Sequence, residues 1–182
     1  MTEPIAPGDH TAYMRLALSL SRLSPAQPSN YRVGAVLVSA TSNTILSSGY
    51  TQELAGNTHA EQNCLAKLGG GGEVPAEEAV LYTTMEPCVR RLSGNASCVE
   101  RILRAGIRRV FVGVLEPDVF VACNDGRAVL ERGGVEVVRV PGLEDEILEV
   151  AMAGHEGRRR GHGVSDADAD AAAAAAAASA GA

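Results

Sequence analysis

The chain has no tryptophan, two phenylalanines and four tyrosines, so aromatic residues make up 3% of its 182 positions. Its 16 lysines and arginines stand against 22 acidic residues, a formal charge of −6 and a pI near 5.2. Without a basic surplus or a basic-aromatic stripe, general binding of nucleic acid is disfavoured. A local basic pocket for one phosphate remains compatible with that balance. No apolar run approaches the roughly 20 residues that span a bilayer. Met1 to Asp9 lacks the basic and apolar regions of a signal peptide. Cysteine is scarce as well, with Cys64, Cys88, Cys98 and Cys123 only. In the absence of an export signal these read as reduced thiols in the cytoplasm, with nuclear entry left open, rather than as two disulfides. What remains is an ordinary globule: 46% hydrophobic residues, mean hydropathy +0.03, and enough chain for one core.

Periodicity predicts alternating helices and strands. Tyr13, Leu16, Ala17, Leu20 and Leu23 recur at three- and four-residue steps, so a helix is expected over His10–Leu23. Pro25 ends it, because proline disfavours helical geometry in the residue before it. Val33–Val38 and Thr44–Tyr50 read as strands, and the short polar turn between them makes an antiparallel pair. A helix from Thr58 to Leu68 is stopped by Gly69–Gly72, a run without the Gly-Lys-Ser/Thr ending of a phosphate loop, and so a linker. Then come a strand over Ala79–Thr84, a helix over Cys98–Ala105 closed by Gly106, and a strand over Val110–Val114. A helix from about Gly126 to Arg132 and a strand over Val135–Val138 follow. A helix between two strands implies a right-handed crossover, so the last two strands should run parallel. Leu143–Ala153 is the final helix. The expected organisation is an N-terminal extension over 1–9, one folded domain over 10–156, and a low-complexity tail over 157–182 that cannot build a core.

The chemistry concentrates in His59-Ala60-Glu61, Pro87-Cys88 and Cys98. A hydrolytic zinc site needs three protein ligands and a fourth position for water. One imidazole and two thiolates meet that need, leaving Glu61 free to move protons. Both His59 and Cys98 sit where a helix begins, so two helix N-termini can converge on the metal and favour thiolate there. Glu61 has a competing use. Thr58 with Glu61 three residues later is a capping-box pattern, and capping would occupy the same carboxylate oxygens. Zinc proteases of the H-E-x-x-H kind place two histidines on one helix, which this chain does not. Cys64, five residues past His59, is turned away on the same helix and reads as a buried small apolar group. Cys123 lies in the loop after the fourth strand, near strand ends where ligands gather. His10, His155 and His162 lack ligand spacing and default to surface or helix-end roles.

The H-x-E plus P-C…C pattern resembles the zinc deaminases of nucleobases. Nine residues separate the two thiols, whereas cytidylate and transfer-RNA adenosine deaminases carry C-x-x-C. With that insertion, Thr84-Met85-Glu86-Pro87-Cys88, Arg91-Leu92-Ser93-Gly94-Asn95 and Cys98-Val99-Glu100-Arg101-Ile102 resemble the pyrimidine deaminases of riboflavin biosynthesis, the fungal type most closely. Gly56-Asn57-Thr58-His59-Ala60-Glu61-Gln62, Glu116-Pro117, Phe120-Val121 and Gly154-His155-Glu156 extend the match across about residues 10–156.

The resemblance implies an α/β fold: a three-layer α/β/α sandwich on a five-stranded mixed sheet, cytidine deaminase-like. It implies Zn2+ held by His59, Cys88 and Cys98, with Glu61 passing a proton to the leaving amine. The expected substrate is a small pyrimidine phosphate, 2,5-diamino-6-ribitylamino-4(3H)-pyrimidinone 5'-phosphate, which loses its C2 amino group as ammonia. A freestanding deaminase is expected, without the reductase or pseudouridine-synthase-like domain of some relatives, and a homodimer. Candidate substrate contacts are Asn30, Arg90, Arg91, Ser93 and Asn95, the inserted loop offering guanidinium, hydroxyl and amide groups for a phosphate or ribityl chain. Asn30 also reads as a plain turn residue, and Arg90 as a solvent-facing one. The rival readings are deamination of a cytosine nucleoside, a nucleotide or RNA, and a non-catalytic zinc-stabilised scaffold. Glu61 discriminates against the last, since a structural site has no use for it.

Overall fold

The protein is described by a computed structural model covering residues 4–70, 78–91, 94–116 and 124–155. The first helix, α1, spans His10–Ser21, followed by strands β1 (Gly34–Ser39) and β2 (Ile45–Tyr50). Helix α2 (Ala60–Ala66) runs into a 3-10 turn at Lys67–Gly70. Then come β3 (Ala79–Met85), α3 (Cys98–Arg104), β4 (Arg109–Val114), α4 (Gly126–Arg132), β5 (Glu136–Arg139) and α5 (Glu144–Ala151). The sheet order is β2-β1-β3-β4-β5, with β1 antiparallel to both neighbours and β3, β4 and β5 parallel. The expected antiparallel first pair and parallel last pair are both present.

Strand alternation sorts the core into two layers. Val36, Val38, Tyr82 and Phe111 point to one face and pack with Met14, Leu18, Leu143 and Ile147 of the α1 and α5 region. Ala35, Leu37, Leu81, Val110 and Val112 point to the other and pack with Ala60, Cys64, Ile102 and Leu130 of α2, α3 and α4. The result is the expected three-layer α/β/α sandwich. Two glycines let helices lie directly on strands. A Cβ at Gly34 would come 2.0 Å from the Ala17 carbonyl oxygen in α1, and one at Gly49 would come 2.4 Å from the Ala60 carbonyl oxygen in α2.

The buried face of α1 is rotated from the expected one. Tyr13, Met14, Ala17, Leu18 and Ser21 are buried, whereas Leu23 is 61% exposed. The helix ends at Ser21, and Leu23 and Ser24 fold back as a turn onto Leu20 and Ser21, so Leu23 leaves the helical register. Asp9 caps α1 by accepting from Ala12, and the Asn43 amide donates to the Ile5 carbonyl, which ties the expected N-terminal extension to the domain. Among the described residues, no helix is long and apolar enough to cross a membrane. The expected tail over 157–182 lies outside the described residues.

Candidate active site

Three separate segments deliver the candidate metal-ligating atoms. His59 occupies the N-cap position of α2, Cys88 follows the end of β3 by three residues, and Cys98 is the first residue of α3. His59 Nδ1 lies 3.6 Å from Cys88 Sγ and 3.4 Å from Cys98 Sγ, and the three ligand atoms are all within 4.8 Å of one another. A tetrahedral zinc, with Zn–N about 2.05 Å and Zn–S about 2.3 Å, sets such nitrogen and sulfur atoms about 3.6 Å apart. The donor set and its spacing therefore fit zinc.

The electrostatics of the metal-free cluster favour thiolate at one of the two sulfurs, Cys88. Cys88 is the thiol that ionises first, pulled down to about 4 by its hydrogen bond with Cys98 and further by His59, against the penalty of burial. The backbone N–H of Cys98 points at the same sulfur, 3.5 Å away. Cys98 is held well above the ordinary thiol range by its side-chain hydrogen bond with Cys88, by burial and by the Cys88 charge. For His59, burial works against protonation, but the Cys88 hydrogen bond and charge outweigh it and the imidazole pKa rises.

Glu61 is 3% exposed and turned toward this cluster, with Cys98 Sγ 3.3 Å from Oε2 and the Thr83 hydroxyl 3.0 Å from Oε1. Burial, then the Cys88 charge, raises its carboxyl pKa. The capping box that was the competing use for Glu61 does not form. His59 takes the cap position without a side-chain bond, and Thr58 instead donates to the Leu54 carbonyl and accepts from Asn63. The same Ser/Thr-x-x-Glu pattern is used at α3, where Ser97 Oγ accepts from Glu100 N (3.2 Å) and Glu100 Oε2 accepts from Ser97 N (3.1 Å). That box fixes the first turn of the helix that begins with Cys98, and its signature was present in the sequence.

Residues outside the H-x-E and cysteine pattern hold Cys88 in place. Asn124 bridges its neighbours, accepting from Val89 N (3.2 Å) and donating to the Pro87 carbonyl (3.3 Å). Glu86 Oε1 accepts from Arg127 N (2.8 Å), completing the first turn of α4, whose own cap residue Asp125 makes no such bond. The Val89–Ser97 insertion is closed at its neck by Val99 N donating to the Cys88 carbonyl (3.2 Å). Nothing in the sequence singles out Asn124, because its partners are backbone atoms 35 and 37 positions away.

A solvent-open cleft, enclosing with its mouth about 580 Å³ of empty space, faces the cluster, lined by Asn30, Tyr31, His59, Glu61, Cys88, Arg90 and Cys98, with Glu86 and Glu116 at its side. Asn30 and Arg90 are thus at the cleft. Arg91 is not. It is 6% exposed and spent on the protein, donating to the Asn57 carbonyl (2.7 Å) and Gln62 Oε1 (3.2 Å). Asn95 is exposed away from the lining, and Ser93 and Cys123 lie outside the described residues. Cys64 is fully buried beside Ser47, and burial pushes its thiol up to about 11, as expected of an inert core group. His10 starts α1, stacked on Phe111 at 4.0 Å, while His162 lies outside the described residues. His155, expected at the surface or a helix end, is 3% exposed instead, because the turn at Gly154 brings its ring against Tyr31.

Residues 7–114 match the cytidine and deoxycytidylate deaminase zinc-binding region. The chain belongs to this deaminase family. Similar proteins include the diaminohydroxyphosphoribosylamino-pyrimidine deaminase of Schizosaccharomyces pombe, 37% identical over 150 residues, covering 82% of this chain and 36% of that protein. The riboflavin biosynthesis protein RibD of Aquifex aeolicus is 40% identical over 127 residues, 69% of this chain and 33% of the relative. This deaminase domain thus spans about a third of the length of those curated relatives. Among solved structures, a C-terminal deletion mutant of Aspergillus oryzae Rib2 deaminase in complex with DARIPP is 41% identical. Its TM-score is 0.72, over 92% of this chain and 99% of that one. The resemblance to riboflavin-pathway pyrimidine deaminases read from Thr84–Ile102 is borne out by these relatives, as is the deaminase fold.

Proposed function

We propose that this deaminase removes the C2 amino group of 2,5-diamino-6-ribitylamino-4(3H)-pyrimidinone 5'-phosphate by hydrolysis, with His59, Cys88 and Cys98 holding Zn2+. The observation that carries the reading is Glu61. It is a buried carboxylate that forms no capping box and faces both the ligand cluster and the cleft, an arrangement a structural zinc site has no use for. The A. oryzae relative crystallised with DARIPP supports a ligand of this class. Zinc held at the cluster supplies the Lewis acidity that makes water a nucleophile near neutral pH. Glu61 accepts a proton from the attacking water as the new C–O bond forms. It then passes that proton to the exocyclic nitrogen as the C–N bond breaks, so one water is consumed and one ammonia released. Its raised pKa suits a group that must hold and give up the proton within one turnover.

Arg90 is the exposed cation at the rim, and it is the residue proposed to meet the phosphate. Asn30, in the opposite sequence half of the lining, is proposed to contact the heterocycle or its ribityl chain. The domain is proposed to act as a homodimer, which light scattering tests. Free thiols at Cys64, Cys88 and Cys98 support a reducing compartment, and the cytoplasm is proposed. The deciding experiment measures ammonia release by the zinc-loaded protein from the ribitylamino and ribosylamino pyrimidinone phosphates, cytidine and dCMP. Turnover of the ribitylamino compound is expected. Preferential turnover of cytidine or dCMP overturns the assignment.

A further inference from the structure

We propose that His155 is a positioning residue for the substrate pocket, clasping the Asn30–Tyr31 wall from the far end of the domain and setting how tightly the pocket holds its ligand. This rests on the reading of the cleft as the substrate site. Asn30 and Tyr31 line the cleft yet belong to neither helix nor strand, lying in the irregular stretch between α1 and β1. The side chain of Asn30 is held by contacts at the long limit of hydrogen bonding: Nδ2 to the Pro25 and Tyr31 carbonyls at 3.4 and 3.3 Å, and Gln52 Nε2 to Oδ1 at 3.5 Å. Its main chain is fixed more firmly. His155 Nε2 donates to the Asn30 carbonyl at 2.8 Å, across 125 positions of sequence, with the His155 ring stacked on Tyr31 at 5.4 Å and 21°.

Two neighbouring contacts make this a clasp rather than an isolated bond. Arg32 N donates to the Ala151 carbonyl at 3.2 Å, where α5 ends. Gly154, at φ +98°, lies so close to the loop that a Cβ there would be 2.7 Å from Gln27 N and 2.8 Å from Ala26 C. Residues 151–155 therefore follow residues 26–32 along their length. His155 does not itself line the cleft. Its effect must pass through Asn30 and Tyr31, so substrate affinity should depend on it while the chemical step at the metal cluster should not.

The test uses the full, zinc-loaded chain and two variants. His155→Phe keeps a ring for Tyr31 and loses the donor, whereas His155→Gln keeps a donor at nearly the same reach. His155→Phe is expected to raise KM for the ribitylamino pyrimidinone phosphate about tenfold, the factor carried by about 1.4 kcal/mol of hydrogen bonding. Its kcat and zinc content should stay within about twofold of wild type, the signature of lost ground-state and transition-state binding alike. His155→Gln is expected to recover most of that KM. Hydrogen exchange should accelerate over residues 25–32 in His155→Phe and stay unchanged over 59–64 and 98–104. An unchanged KM, a kcat that falls together with zinc content, or no recovery in His155→Gln overturns the proposal. If the wild-type chain releases no ammonia from this substrate, the functional reading fails while exchange still decides the clasp: unchanged protection over 25–32 removes it.

Discussion

Gly49→Ala is the substitution that most directly tests how the fold positions the chemistry. Gly49 lies on β2, and an added Cβ would meet the Ala60 carbonyl oxygen at 2.4 Å and Cys64 N at 2.6 Å, where ordinary contact begins at 3.4 Å. Relief of the first contact requires α2 to move by 3.4 − 2.4, about 1 Å, and both obstructing atoms are backbone, so no rotamer change can provide it. The obstructed turn is the one that begins at His59 and carries Glu61. Overpacking of this kind costs about 1–3 kcal/mol of stability. A shift of about 1 Å in a reacting group lowers turnover on the order of a hundredfold. Urea unfolding, metal analysis and ammonia-release kinetics together read out these effects. Ser48→Ala, one position earlier on the same strand, serves as the control for changing β2 without adding bulk. A Gly49→Ala protein with wild-type kcat/KM and an unchanged urea midpoint would show that α2 is not held to the sheet by this contact, and the reasoning would fail.

Glu61→Gln should retain zinc at wild-type stoichiometry while kcat falls by about 10²–10⁴, the range for loss of a proton-transferring group; undiminished ammonia release would remove Glu61 from the mechanism. Ser97→Ala breaks the capping box at the start of α3, with an expected loss of about 1 kcal/mol in denaturant unfolding; a change below experimental error would count against it. Asn124→Ala should weaken zinc affinity about 10–100-fold, as loss of outer support to a ligand does, measured by competition with a chromophoric chelator. Arg90→Ala should raise KM for the phosphorylated substrate and leave it unchanged for the dephosphorylated one, and an equal effect on both would place the phosphate elsewhere.

The candidate metal site was legible in the sequence because its residues carry their chemistry in their types. Imidazole, two thiols and a nearby carboxylate have few shared uses, and His59, Cys88 and Cys98 do meet within 4.8 Å. The sheet was legible for a different reason: Val33–Val38 and Val110–Val114 are apolar runs whose flanking turns and crossover fix direction. The supports were not legible. Asn124 and His155 act on backbone carbonyls and amides far away in sequence, and a backbone acceptor leaves no mark on residue type. Arg91 shows the opposite failure. A guanidinium in a loop beside the site suggested phosphate, but its nearest acceptors are Asn57 and Gln62 of the chain itself. Thr58 and Ser97 open the same four-residue signature, and only tertiary context decides which becomes a cap: Thr58 is claimed by Leu54 and Asn63, whereas Ser97 Oγ accepts from Glu100 N in its own turn.

The hydrogen bond from Val99 to the Cys88 carbonyl gives the interval between the two sulfurs a stem, much as a base pair closes a nucleic-acid loop. Apart from its anchors at Val89, Arg91 and Ser97, what hangs from that stem can be lengthened, trimmed or recoded at small entropic expense, since loop closure grows only slowly with length, and the sulfur positions need not respond. Selection for a new substrate and preservation of the hydrolytic centre therefore fall on different parts of one short stretch of chain. A single metal chemistry can in this way be offered substrates that differ in the group reaching the rim.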